Sequence, residues 1–302
     1  MLKNVIAMIL MVCSLLVISA CTIMAGNKIA VISLNGPIQA EAYVSLFGSS
    51  GITPALVRHQ LERASDDFEV KAIVIQVNSP GGDVSACEEI RYEMEKIEKP
   101  MVISMRTIAA SGGYYISAGA DRIVALPTTN TGSIGVITHI PNLKGLFDKL
   151  GIKMEIVKSG KYKDMYSGFK ELTPEEIQIV QKNADQAYDR FIDIVARGRN
   201  LDKEKVREIA TGQLYTGLDA KELGLVDEIG GLQTAIDLAA KLADIEKPRV
   251  EYYETDSTDL LKILMGFNSG VFNRVTESNI SGFEGMIIQE LLGNTYPKYY
   301  YR

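Results

Sequence analysis

The 302-residue sequence has only two histidines, His59 and His139, and neither lies in a motif. A histidine-based nucleophile system is therefore poorly supplied, and any reactive serine needs another base. Cysteine is equally scarce: Cys13 and Cys21 belong to the N-terminal apolar run and its edge, which leaves Cys87 alone in the rest of the chain. A lone cysteine excludes an internal disulfide there, and no pair has metal-ligand spacing, so neither a metal nor a cofactor is expected. Cys87 reads instead as a small buried residue on a helix. There is no basic block, the net charge is −6, and basic and aromatic residues do not interleave, so nucleic acid is not an expected partner. The length suits one large domain or two small ones.

The N-terminus carries the first positive signal. One lysine, Lys3, precedes an apolar run from Val5 to Ala20 that is broken only by Ser14 and Ser19. That run is short for a spanning helix of roughly 20 residues and suits the apolar region of a signal peptide. It ends Ile18-Ser19-Ala20-Cys21, which resembles the lipobox of bacterial lipoproteins and makes Cys21 a lipidation candidate. The alternative is an uncleaved anchor continuing through Ala25. Either reading gives residues 1–26 a targeting or anchoring role and places the folded part outside the cytoplasm, held at the cell membrane.

From Lys28 to about Val157, short apolar runs alternate with helical patterns. Strands are expected at Ile29–Leu34, Ala72–Val77, Met101–Met105, Arg122–Leu126, Ile134–Ile137 and Lys153–Val157. Runs such as Ala72-Ile73-Val74-Ile75 suit strands covered on both faces. Helices are expected at Pro54–Ser65, Val84–Ile97, Gly112–Ala118 and Leu143–Leu150, which together predict an α/β domain with a largely parallel sheet. Thr173-Pro174-Glu175-Glu176 is a capping box opening a long helix with one buried stripe. Shorter helices follow at Lys203–Ile209, Ala220–Leu223 and Leu232–Leu242. Pro248 marks the expected boundary between a domain at 27–247 and an extension at 248–302. The aromatic, basic end Lys298-Tyr299-Tyr300-Tyr301-Arg302 is expected to be disordered, as chain ends commonly are.

Four local patterns carry chemistry. Asn78-Ser79-Pro80-Gly81-Gly82-Asp83 follows a strand, and its glycines allow a sharp turn with outward N–H groups. Ser111-Gly112-Gly113 follows another strand and opens a helix, where first-turn N–H groups are free to bind an oxyanion. Thr131-Gly132-Ser133-Ile134-Gly135-Val136 offers Ser133, a hydroxyl able to orient a lysine amine. Ser159-Gly160-Lys161-Tyr162-Lys163-Asp164 offers Lys163, a base once its proton is lost, with Lys161 as a source of repulsion. Taken singly, these are an ordinary turn, a helix-capping serine, a turn entering a strand and a solvated charge.

Together their order and spacing resemble the bacterial signal peptide peptidase A family, Ser–Lys proteases of the Clp-protease/crotonase superfamily. The likeness runs from about Ile29 to about Ile236 and includes Gly224-Leu225-Val226-Asp227-Glu228-Ile229-Gly230. It implies a repeated β-β-α superhelical core with a largely parallel sheet and a helical C-terminal region. It also implies Ser111 as nucleophile, Lys163 as general base, Ser133 as the residue that positions the lysine, and the N–H groups of Gly82 and Gly112 as the oxyanion hole. The family's substrates are remnant signal peptides, short and apolar, and its members form ring-shaped homo-oligomers in which serine and lysine can meet across a subunit interface. Two rivals share the fold: a crotonase-type acyl-CoA enzyme, which needs neither an export signal nor Ser111, and an inactive membrane scaffold, which needs no intact site.

Overall fold

The computed structural model describes residues 26–41, 43–45, 48–253 and 299–301. Residues 1–25, with Cys13 and Cys21, lie outside the described residues, as do 254–298. Along the chain come β1 (Lys28–Asn35), a short pair β2 (Tyr43–Ser45) and β3 (Gly48–Ser50), α1 (Pro54–Asp66), β4 (Val70–Ser79), β5 (Gly82–Asp83), α2 (Val84–Glu95), β6 (Met101–Ala110) and α3 (Gly112–Ser117). Next are β7 (Arg122–Ala125), β8 (Asn130–Gly132), β9 (Ile137–Thr138), α4 (Lys144–Leu150), α5 (Pro174–Arg199) and α6 (Lys203–Ile209). The order closes with β10 (Leu214–Thr216), α7 (Gly217–Glu222), β11 (Glu228–Ile229), α8 (Leu232–Leu242), β12 (Arg249–Tyr253) and β13 (Tyr299–Tyr301).

The main sheet has the order β10-β8-β6-β4-β1-β12, with β7 also on β6 and β11 on β7. All of these pairs are parallel except β10 with β8. Side chains alternate along a strand, so each apolar run serves two cores. Ile29, Val31, Ala72, Val74, Val102 and Val124 face α8 and pack with Ala235, Ile236, Ala239 and Ala240. Ala30, Ile32, Ile73, Ile75 and Ile103 face the other way, into a larger core with Tyr114, Tyr115 and Phe191. The uninterrupted hydrophobicity of Ala72–Ile75 is thus explained by burial on both faces.

The long strand β6 sets up the site. Its first half pairs with β7, its last residues Ile108–Ala110 pair with β8, and Ala109 stands opposite Ser79 at the end of β4. The turn leaving β6 is therefore flanked by the ends of β4 and β8. Thr173 with Glu176 forms the expected capping box, and two further helices are capped by Thr53, which accepts from the N–H of Leu56, and Asp83, which accepts from that of Ala86.

Four segments depart from the sequence reading. Lys153–Val157 is not a strand: it has no strand partner among the described residues, and Val157 is 100% exposed. An extended segment without a neighbour leaves its backbone groups to water. Ile134–Ile137 is not one strand either, because Gly132 (φ 74°) and Ser133 (φ 49°) both turn left-handed and end β8 before Ile134. Beyond Pro248, β12 adds to the main sheet beside β1. Of the aromatic end, Tyr299–Tyr301 form β13, which lies between β5 and β9, antiparallel to both.

Candidate active site

Ser111 links β6 to α3 with φ 54° and ψ −117°, a conformation that non-glycine residues seldom adopt. Its backbone is held on both sides: its N–H donates to the carbonyl of Gly132 at 2.8 Å, and its carbonyl accepts from the N–H of Tyr115 at 2.8 Å. The residue is 0% exposed, and Oγ is buried without a hydrogen-bond partner among the described residues. An unpaired buried hydroxyl on a strained strand-to-helix turn is what a nucleophile awaiting substrate requires.

The two glycine loops meet beside it. A Cβ on Gly112 would lie 3.1 Å from the backbone nitrogen of Gly82 and 2.6 Å from Sγ of Cys87. A Cβ on Gly82 would lie 1.9 Å from the carbonyl oxygen of Ile38. Neither position has room for a side chain. Ile38 bridges to this loop through the N–H of Asp83 and the carbonyl of Gly81, which turns the N–H of Gly82 to the opposite edge. As the first residue of α3, Gly112 has no intrahelical acceptor for its own N–H. Cys87 is fully buried under this junction, and burial pushes its thiol pKa well up, so it acts as packing.

Ser133 is nearly buried, and its N–H donates to the carbonyl of Gln213 at 2.8 Å. Because Gly132 accepts from Ser111, Ser133 adjoins the Ser111 turn. The structure thus brings Ser111, Ser133, Gly82 and Gly112 together. Lys163 it does not: that residue is exposed in a segment of successive turns and makes no hydrogen bond to Ser111 within one chain. Lys161 does not provide repulsion, since its Nζ sits 2.5 Å from a Glu175 carboxylate oxygen, a bond that raises its pKa. The segment around Lys163 also exposes Leu146, Leu150, Ile152, Met154 and Ile156.

Motif reading missed the carboxylate of Glu88. It accepts from the Tyr115 hydroxyl, from Nη2 of Arg91 at 3.0 Å and from Nη2 and Nε of Arg190 at 2.6 and 3.2 Å. Burial alone would raise its pKa, but the bonds from Arg91, Arg190 and Tyr115 outweigh it and bring the value down to about 2. A depressed carboxylate stabilises the fold above its unfolded pKa and loses that contribution as pH falls through the folded value. Urea midpoints are therefore expected to fall from about pH 4.5 towards about pH 2, and to fall less steeply in Glu88→Gln. The only sequence hint was the spacing of Glu88 and Arg91 on one helix face.

Among the described residues no group of side chains could hold a metal ion, and no helix is long and apolar enough to cross a membrane. Residues 93–246 match the model of peptidase family S49, and residues 42–139 match that of Clp protease. A protein of Enterococcus faecium named for signal peptide peptidase SppA is 38% identical over 91% of this chain and 81% of its own length. Protease 4 of Haemophilus influenzae is 38% identical over 79% of this chain, which spans 40% of that longer protein. Serine protease SPPA, chloroplastic, of Arabidopsis thaliana is 34% identical over 88% of this chain and 42% of its own. With its Clp-protease-like α/β fold and its mostly parallel sheet, the chain belongs to peptidase family S49 and is a serine peptidase.

Proposed function

We infer that the protein is a membrane-associated endopeptidase that cuts short apolar peptides, signal-peptide remnants among them, with Ser111 as nucleophile and Lys163 as base. The observation that carries this reading is the unpaired, buried Oγ of Ser111 at the meeting point of two glycine loops. Neutral Lys163 takes the Ser111 proton as Oγ attacks the scissile carbonyl, and Ser133 orients the amine. The N–H groups of Gly82 and Gly112 hold the tetrahedral oxyanion. The leaving amine takes the proton back from Lys163, the acyl-enzyme forms, and water activated by the same lysine releases the product. The strand Tyr299–Tyr301, lying against Gly82, supports an extended peptide backbone as the ligand.

Lys163 and the exposed apolar residues around it support a base delivered to a neighbouring copy in a homo-oligomeric ring. An anchor in residues 1–26, with lipidated Cys21 or an uncleaved helix, supports attachment on the extracytoplasmic side, where apolar remnants collect. A crotonase-type enzyme has no use for Ser111, and an inactive scaffold has no need of the paired glycine loops.

The test is complementation. Ser111→Ala and Lys163→Ala are each expected to be inactive alone on an apolar fluorogenic peptide, and to regain turnover when mixed and allowed to exchange subunits. Full activity of Lys163→Ala alone would remove lysine from the mechanism.

A further inference from the structure

Gly82 and Gly112 sit on different elements, yet their N–H groups must converge on one oxygen to within a fraction of an ångström. Between the two loops themselves the approach is close, a Cβ on Gly112 falling 3.1 Å from the Gly82 nitrogen, and the side chain at the junction is the small Cys87 thiol. Each loop, however, leads directly into a helix. Gly82 precedes α2, which carries Glu88, and Gly112 opens α3, which carries Tyr115. The Tyr115 hydroxyl donates to the Glu88 carboxylate. Arg190, reaching in from α5, holds the same carboxylate at 2.6 Å, and Arg91 holds it from within α2 at 3.0 Å.

We propose that Glu88 is a positioning residue for peptide hydrolysis, clamping α2 to α3 through Tyr115 and thereby setting the separation of the two oxyanion donors. The proposal rests on the assignment of Ser111 and the glycine loops given above. Three features favour a clamp over incidental surface charge. Tyr115 is itself bound to the nucleophile, since its N–H donates to the Ser111 carbonyl, so its displacement moves the turn that carries Oγ. The carboxylate is gripped from three helices and so cannot follow either helix alone. Finally, Glu88, Tyr115 and Arg190 line one open pocket of about 360 Å³ with Val84, Ser85, Glu89 and Ala187, so the linked groups lie at one place where α2, α3 and α5 meet.

The decisive variant is Tyr115→Phe, which removes one hydroxyl and keeps the ring whose centroid lies 5.0 Å from that of Phe191. Assayed in the full-length protein on an apolar fluorogenic peptide, it is expected to lower kcat by roughly 10–100-fold with KM within about twofold of the parent. Glu88→Ala, which leaves the Tyr115 hydroxyl no acceptor at that position, should do the same. The double variant should be no slower than the worse single one, because both cut one link. A purely structural role predicts instead a lost folded fraction with normal kcat per active site, counted by titration with a serine-directed phosphonate. Unchanged kcat in Tyr115→Phe, an effect confined to KM, or additive losses in the double variant would each overturn the clamp. Ser111→Ala is run alongside: if it is inactive while Tyr115→Phe is normal, only the clamp fails, whereas turnover by Ser111→Ala would remove the site assignment beneath it.

Discussion

Ser111→Ala is expected to abolish peptide hydrolysis, by at least ~10³-fold in kcat on the scale seen when a serine peptidase loses its nucleophile, while the melting temperature stays the same or rises. The second half of that expectation follows from the structure. Oγ makes no hydrogen bond among the described residues and is sealed from solvent, so its removal deletes an unsatisfied polar atom and exposes no new one. The strained φ of 54° is equally available to alanine and serine, which share a Cβ. Destabilised active sites often gain stability when the functional group is deleted. Hydrolysis of an apolar fluorogenic peptide, paired with a thermal melt of the same preparation, checks both halves. Retention of a tenth of the parent rate would mean that another group attacks the carbonyl.

Gly82→Ala should damage both fold and chemistry. The added methyl would fall 1.9 Å from the Ile38 carbonyl oxygen and 2.7 Å from its carbon, both backbone atoms that cannot rotate away. The loop must move, which strains the bonds from Asp83 N–H to the Ile38 carbonyl and from Ile38 N–H to the Gly81 carbonyl, each 2.9 Å. An overpacked site of this kind costs about 1–3 kcal/mol. Loss of one oxyanion donor costs roughly 10²–10³ in rate. Gly119→Ala is the control: its new methyl meets nothing within 4 Å, and both activity and urea midpoint should stay near those of the parent. If Gly82→Ala keeps full kcat, the N–H of residue 82 does not serve the oxyanion.

The parts of this molecule legible in its sequence are those governed by local physics. Runs such as Ala72–Ile75 announce strands buried on both faces, and Thr173 announces a helix start through its capping box. The serine and glycine loops were legible for the same reason, since turns and helix ends have narrow residue requirements. What sequence could not convey depends on partners distant along the chain. The apolar residues of Lys153–Val157 look like a strand, but no strand meets them among the described residues. Tyr299–Tyr301 pairs with residues more than 150 positions away, at Ile137–Thr138, and farther still at Gly82–Asp83. Glu88 is one of many acidic residues until folding sets Tyr115 and Arg190 beside it. Positive φ at Ser111 and Ser133 is likewise imposed by the surrounding sheet and not announced by serine itself.

The placement of Tyr299–Tyr301 makes binding a contest. An incoming chain can line up with Gly82–Asp83 only by displacing a segment the protein carries with it, and a tethered competitor acts at an effective concentration that no dilution of the enzyme reduces. Peptides too short to match the main-chain pairing of that segment would lose the exchange, while longer extended ones would win it.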